Sequence, residues 1–172
     1  MEKPQEMNEP TTEWEWRGYH AGVIGKIIEL HAVYYHTFWG FDVSFETQEG
    51  RELCEFMSRF DPKNDGLWAV YVDGRFAGSV AIDGKLRETE GARLRWLIVA
   101  PEFQGLGIGQ ALVHKAVEFC RSAGHAKIFL WTFHGLNAAR HVYESEGFVL
   151  AQDYPINQWG SAIREQKFEL IL

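Results

Sequence analysis

Residues 101–116 read PEFQGLGIGQALVHKA and set Gly105, Gly107 and Gly109 alternately at the mouth of a helical pattern. Glycine inside a helix costs about 1 kcal/mol relative to alanine, so such a run needs a reason other than packing. The first backbone N–H groups of a helix have no partner, and with the helix dipole they form an anion site that glycines leave open. A tight strand-to-helix turn would need one glycine. The run therefore points to a phosphate group held against bare backbone, with Gln104, Gly105, Leu106, Gly107, Ile108 and Gly109 as its contacts.

The spacing restricts which phosphate ligand. A dinucleotide fingerprint requires Gly-x-Gly-x-x-Gly, but Gln110 stands where the third glycine belongs, and no acidic residue ends the next strand to hold a ribose. A P-loop requires Gly-Lys-Ser/Thr, and no lysine follows any of these glycines. Seven histidines are scattered, and no three Cys or His residues fall at metal spacing, so no metal is expected.

The elements that must position the glycines follow from periodicity. Apolar residues recur at helical spacing from Ala21 to about Phe38, and a second helix is expected from Thr47 to Phe60, ended by Asp61 and Pro62. LWAVYV and RFAGSVAI are two strands joined by Asp73-Gly74, a strong hairpin signature. ARLRWLIVA is a third strand. It leads through the glycine run into a helix with an apolar face of Ile108, Leu112, Ala116, Phe119 and Cys120, stopped by Gly124. AKIFLWTF is the next strand, Asn137 to Glu146 a short helix ended by Gly147, and FVLAQDY and REQKFELIL the last strands. The order predicts an α/β (α+β) fold. Its mostly antiparallel sheet has one parallel β-α-β crossover, from RLRWLIVA through the glycine helix to KIFLWTF.

At 172 residues and 46% hydrophobic content, the chain suits one domain with a substantial core, expected over residues 13–172 behind a disordered leader at 1–12. A net charge of −7 without a basic run argues against nucleic acid and mildly favours amine-bearing substrates. Cys54 and Cys120 both fall in apolar helical segments and read as reduced core thiols, which suits the cytoplasm. The polar start lacks an apolar export segment, and no stretch approaches the ~20 apolar residues a membrane span needs.

Gln104, Gly107 and Gly109 also satisfy the pattern Gln/Arg-x-x-Gly-x-Gly/Ala, preceded by LIVAP and followed by NAARHVYESEGF. In these motifs the chain resembles the GNAT superfamily of acyl-CoA-dependent N-acyltransferases. In LWTF and QWGSAIREQKFEL it is similar to the acetyltransferase domain fused to MarR-type transcription regulators, though no helix-turn-helix precedes it here. The resemblance implies a sheet of about seven strands with flanking helices. It implies acetyl-CoA as co-substrate, with pyrophosphate on the backbone from Gln104 to Gly109 and pantetheine along Leu97, Ile98 and Val99. The same three residues would equally suit a plain buried strand. Asn137 matches a pantetheine-binding position, and equally a helix N-cap. Arg140 matches either a CoA-phosphate contact or a solvated surface residue. Tyr143 matches the tyrosine beside the thioester sulfur, a general acid for the leaving thiolate.

The implied reaction is direct acetyl transfer to a primary amine of a small molecule or amino-acid-like acceptor. The general base is not identified. Arg93 and Arg95 stand where many members carry an acid, and Glu29, His31, His36, Glu46 and His134 are alternatives, as is a water relay. Arginine on that strand would suit a carboxylate on the acceptor if its guanidinium faces the cleft. Tyr34, Tyr35, Phe38, Trp39 and Phe41 fall where members build the acceptor wall, or belong simply to the core. The resemblance allows a homodimer and a non-catalytic acyl-CoA sensor as the competing function.

Overall fold

A computed structural model describes residues 13–172, so the expected leader at residues 1–12 lies outside the described residues. Asp73 and Gly74 both take positive φ, 50° and 74°. That is the two-residue turn whose twist matches paired strands, and it joins β2 (Gly66–Val72) to β3 (Arg75–Asp83). Trp159 and Gly160, at φ 54° and 77°, do the same between β6 (Val149–Gln158) and β7 (Ser161–Ile171). Both closing strands run longer than expected, because this second turn carries a tryptophan where Asn or Asp would have marked it. A short strand not foreseen in the sequence, β1 (Trp14–Arg17), pairs antiparallel with β2.

Helix α1 (Val23–Trp39) runs between Gly22 and Gly40. Helix α2 (Val43–Ser58) starts before the expected Thr47 because the Asp42 carboxylate accepts the Ser44 N–H at 2.9 Å, fixing the first turn. Strand β4 (Ala92–Val99), α3 (Ile108–Ala123) and β5 (Lys127–Phe133) form the crossover, and α4 (Asn137–Ser145) follows.

The sheet has seven strands in the order β1-β2-β3-β4-β5-β7-β6, and β4/β5 is its one parallel pair, as expected. On one face α3 buries Leu112, Ala116 and Val117 against Val80, Ile82, Leu94 and Ile128. On the other, α1 and α2 bury Val23, Ile27, Leu53 and Phe56 against Ala69, Ala81 and Trp96. Each fully buried large side chain contributes about 1.5–3 kcal/mol. A third cluster of Phe41, Phe45, Phe133 and Ile163 closes the far end. Two residues depart from the core assignment. Cys54 is exposed on α2 while Cys120 is buried, and Phe38 is 60% exposed on α1.

Candidate active site

Strands β4 and β5 are paired only at Ala92–Ile128 and Arg93–Phe129, and beyond that they part. The cause lies on the other side of β4. Its pairing with β3 jumps from Ala81–Arg95 to Ser79–Ile98, a bulge that bends the strand. Trp96 sits in the bulge at φ 48°, a conformation that costs a non-glycine residue about 1–2 kcal/mol. Its indole is buried against Phe56, and its carbonyl accepts the Ser79 hydroxyl at 2.9 Å. The opening is a cleft of about 740 Å³.

At the α3 end of the cleft, Gly105 and Gly107 take φ 81° and 84°, which L side chains rarely adopt. A Cβ on Gly105 would meet nothing within 4 Å, and on Gly107 only a Trp14 ring carbon at 3.9 Å. The backbone there fronts open space, and the first turn of α3 carries no acidic side chain to compete for its N–H groups. Gly109 differs, since its φ is not positive and its Cβ would lie in ordinary contact 3.6 Å from Val99, so neither backbone nor space demands glycine there. Gln104 lines the cleft with its amide donating to the Val99 carbonyl at 3.2 Å. Ile108 is a core residue at the helix start, and Leu106 is 47% exposed and does not line the cleft.

Leu97, Ile98 and Val99 all line the cleft, Ile98 buried and its neighbours half-buried, on the edge of β4 that β5 has left. Asn137 is exposed on the cleft wall at the first position of α4. The N-cap is Leu136 and no side chain caps the helix, so the capping role is not what Asn137 performs. Arg140 bonds Glu144 at 2.8 Å and does not line the cleft. Tyr143 lines it, buried against Phe148 and Phe168, and its hydroxyl makes no hydrogen bond among the described residues. Burial pushes this phenol well above its ordinary value, so it holds its proton.

The α2 side is charged. Arg95 contacts Glu52, lies 3.8 Å from Asp83 and stacks its guanidinium 4.1 Å from the Trp96 ring centre. Burial raises the Asp83 carboxyl, but hydrogen bonds from Arg59 and the Lys85 N–H, with the Arg59 and Arg95 charges, outweigh it and hold the group below its ordinary value. One turn before Glu52, Glu49 faces the cleft. Burial pushes its carboxyl up to about 7, against the pull of Arg95, and with a push from Glu52.

Among the residues considered as base from sequence, His31 alone reaches the cleft. Its Nδ1 donates to the Ile27 carbonyl at 2.8 Å, and burial depresses it to about 4. Glu29, His36 and Glu46 border a separate, smaller depression, and His134 is exposed outside both. Glu49 was missed, yet a signature existed: it lies four residues from both Phe45 and Leu53, on the buried stripe of α2. Of the aromatic run, Tyr34, Tyr35 and Trp39 line the cleft, Phe41 is core, and Phe38 faces outward. Among the described residues no group of three or more His, Cys, Asp or Glu could hold a metal, and no helix is long and apolar enough to cross a membrane.

Residues 26–148 match the model of the Acetyltransferase (GNAT) family. An uncharacterized N-acetyltransferase of Methanocaldococcus jannaschii is 28% identical over 120 residues, covering 67% of this chain and 53% of its own, so the chain spans about half the length of that relative. The mycothiol acetyltransferase of Beutenbergia cavernae is 34% identical over 104 residues, 60% of this chain and 34% of its own. Among solved structures, an acetyltransferase of Salmonella typhimurium determined with its cofactor acetyl-CoA superposes with a TM-score of 0.75 at 16% identity, covering 93% of this chain and 94% of that one.

Proposed function

The chain belongs to the GNAT acetyltransferase family, and on that premise we propose that it transfers an acetyl group from acetyl-CoA directly to the primary amine of a small or amino-acid-like acceptor. The observation that carries this is the open glycine backbone at the start of α3, where added Cβ atoms would enter the space a pyrophosphate needs, continuous with a cleft holding Tyr143 and Glu49. Residues 104–109 hold the pyrophosphate, and the free β4 edge from Leu97 to Val99, with Asn137, holds the pantetheine arm. Acetyl-CoA supplies an activated thioester. Glu49 takes the proton of the acceptor ammonium, leaving a neutral amine to attack, and its raised carboxyl suits that task near neutral pH. A backbone N–H of the bulged β4 polarises the carbonyl, and the Tyr143 hydroxyl, as general acid, bonds the departing sulfur.

The sensor alternative rested on the want of a base, and Glu49 removes that support. LWTF in β5 and QWGSAIREQKFEL in the β6–β7 hairpin support kinship with the MarR-fused acetyltransferase domains. Two unbridged thiols support a cytoplasmic setting. The test is thiol release from acetyl-CoA against a panel of amines and amino acids. At least one acceptor is expected to raise release far above hydrolysis, and binding of acetyl-CoA with no acceptor-dependent release would overturn the assignment.

A further inference from the structure

The two arginines of β4 differ in a way that bears on the acceptor. Arg95 is satisfied: Glu52 contacts it, Asp83 lies 3.8 Å away, and its guanidinium stacks on Trp96. Asp83 is in turn held by two hydrogen bonds from Arg59, at 2.6 and 3.0 Å. Arg93 has none of this. Its Nε is buried with no hydrogen-bond partner, and the side chain makes no ion pair among the described residues. It lines the cleft from the last β4 position paired with β5, where the strands begin to part.

A half-buried guanidinium whose Nε has lost water without gaining an anion is disfavoured, and its planar fork fits a carboxylate through two parallel hydrogen bonds. Burial, then the charge of Arg95, push its pKa below the ordinary value and outweigh the upward pull of Glu52, Glu49 and Asp83. The cleft wall also carries Glu49, which forms no ion pair with Arg93 or Arg95. A cation and a carboxyl, neither of them in an ion pair among the described residues, thus share one aromatic-walled cleft, with Tyr35, Trp39 and Trp131 among its lining. That arrangement complements a zwitterion.

We propose that the acceptor is an amino acid, its carboxylate held by Arg93 and its ammonium presented to Glu49. This rests on the acetyl-transfer reading above and narrows it to acceptors carrying a free carboxylate, with Arg93 setting specificity.

The experiment compares the proteinogenic L-amino acids with analogues in which every carboxylate is a carboxamide, in two readouts: thiol release from acetyl-CoA, and calorimetric binding to the CoA-saturated protein. The best amino acid is expected to exceed its carboxamide in kcat/KM by about 10²-fold, the loss typical when a charge-assisted bidentate contact goes unmade. In Arg93→Met that ratio should collapse towards one. In Arg93→Lys, which keeps the charge without the fork, it should fall between. Methionine in place of a buried unpaired charge leaves folding intact, and the wild-type ratio alone decides the matter if it does not. Amines turned over with no preference for a carboxylate, or a ratio unchanged in Arg93→Met, would overturn the amino-acid assignment and leave acetyl transfer standing. Amino acids that bind through Arg93 without thiol release would do the reverse. Neither binding nor release with any amino acid would overturn the inference, and release with other amines would still support the transferase.

Discussion

Burial moves the acids Glu49 and Tyr143 in the same direction, and the proposed mechanism uses them for opposite purposes. Burial keeps the Tyr143 phenol protonated throughout the working range, so it is always a donor. The same effect brings the Glu49 carboxyl up to about 7, where ionisation makes it a base. Turnover should therefore rise with pH through about 7 and level off above it, and Glu49→Gln should abolish that limb with a loss of ~10²- to 10⁴-fold in kcat/KM. A pH–rate profile of both proteins checks this. The sign for stability is opposite. A carboxyl raised from 4.5 to about 7 favours the folded state fully below 4.5, and that contribution fades as pH climbs through 7. Thermal melts of Glu49→Gln should thus show a higher Tm than wild type at pH 8 and little difference at pH 4. Tyr143→Phe keeps the ring against Phe148 and Phe168. It should lower turnover ~10²- to 10⁴-fold with acetyl-CoA affinity unchanged, as titration calorimetry beside steady-state kinetics would read.

The start of α3 and the bulge of β4 are the two elements that make the cleft, and they differ in how far the sequence announces them. Alternating glycines before an apolar helix face mark the first, because the positive φ at Gly105 and Gly107 selects glycine. The bulge has no local signature: a buried tryptophan at φ 48° is held there by tertiary packing and by Ser79, and its pattern reads as an ordinary strand. The hairpin at Asp73-Gly74 was legible from turn chemistry, whereas the one at Trp159-Gly160 was not. At Asn137 the residue type left pantetheine contact and helix capping equally open, and only the structure, with Leu136 as N-cap and Asn137 as the first helical residue, separates them. The α3 cradle can be probed at Gly107. Asp and Asn there suffer similar strain at φ 84° and differ chiefly in charge. Gly107→Asp should bind acetyl-CoA at least ~10-fold more weakly than Gly107→Asn, because a carboxylate at a helix N-terminus repels the incoming phosphates. Equal affinities by calorimetry would remove the anion site.

Over the whole molecule, one cleft runs from the glycine backbone at the start of α3 and Tyr143 of α4 to the charged α2 wall of Glu49 and Glu52, and the proposed reaction needs the cofactor at the first end and the acceptor at the second. A ligand that binds only the folded state adds ~2.7 kcal/mol at a hundredfold excess over Kd, so acetyl-CoA should raise Tm by several degrees, and Gly107→Asp should blunt the rise. Burial pushes the Cys120 thiol up to about 12 while Cys54 is exposed, so native protein should alkylate at Cys54 alone and at both only after unfolding, as peptide mass mapping would show. The central claim is that this cleft moves an acetyl group from sulfur to nitrogen. The most direct measurement quantifies released CoA thiol and N-acetylated acceptor in the same reaction, for wild type and for Glu49→Gln combined with Tyr143→Phe. The expected result is one amide formed per thiol released in wild type, with both lost together in the double variant. Thiol released without amide, or amide formed at the wild-type rate by the double variant, would contradict it.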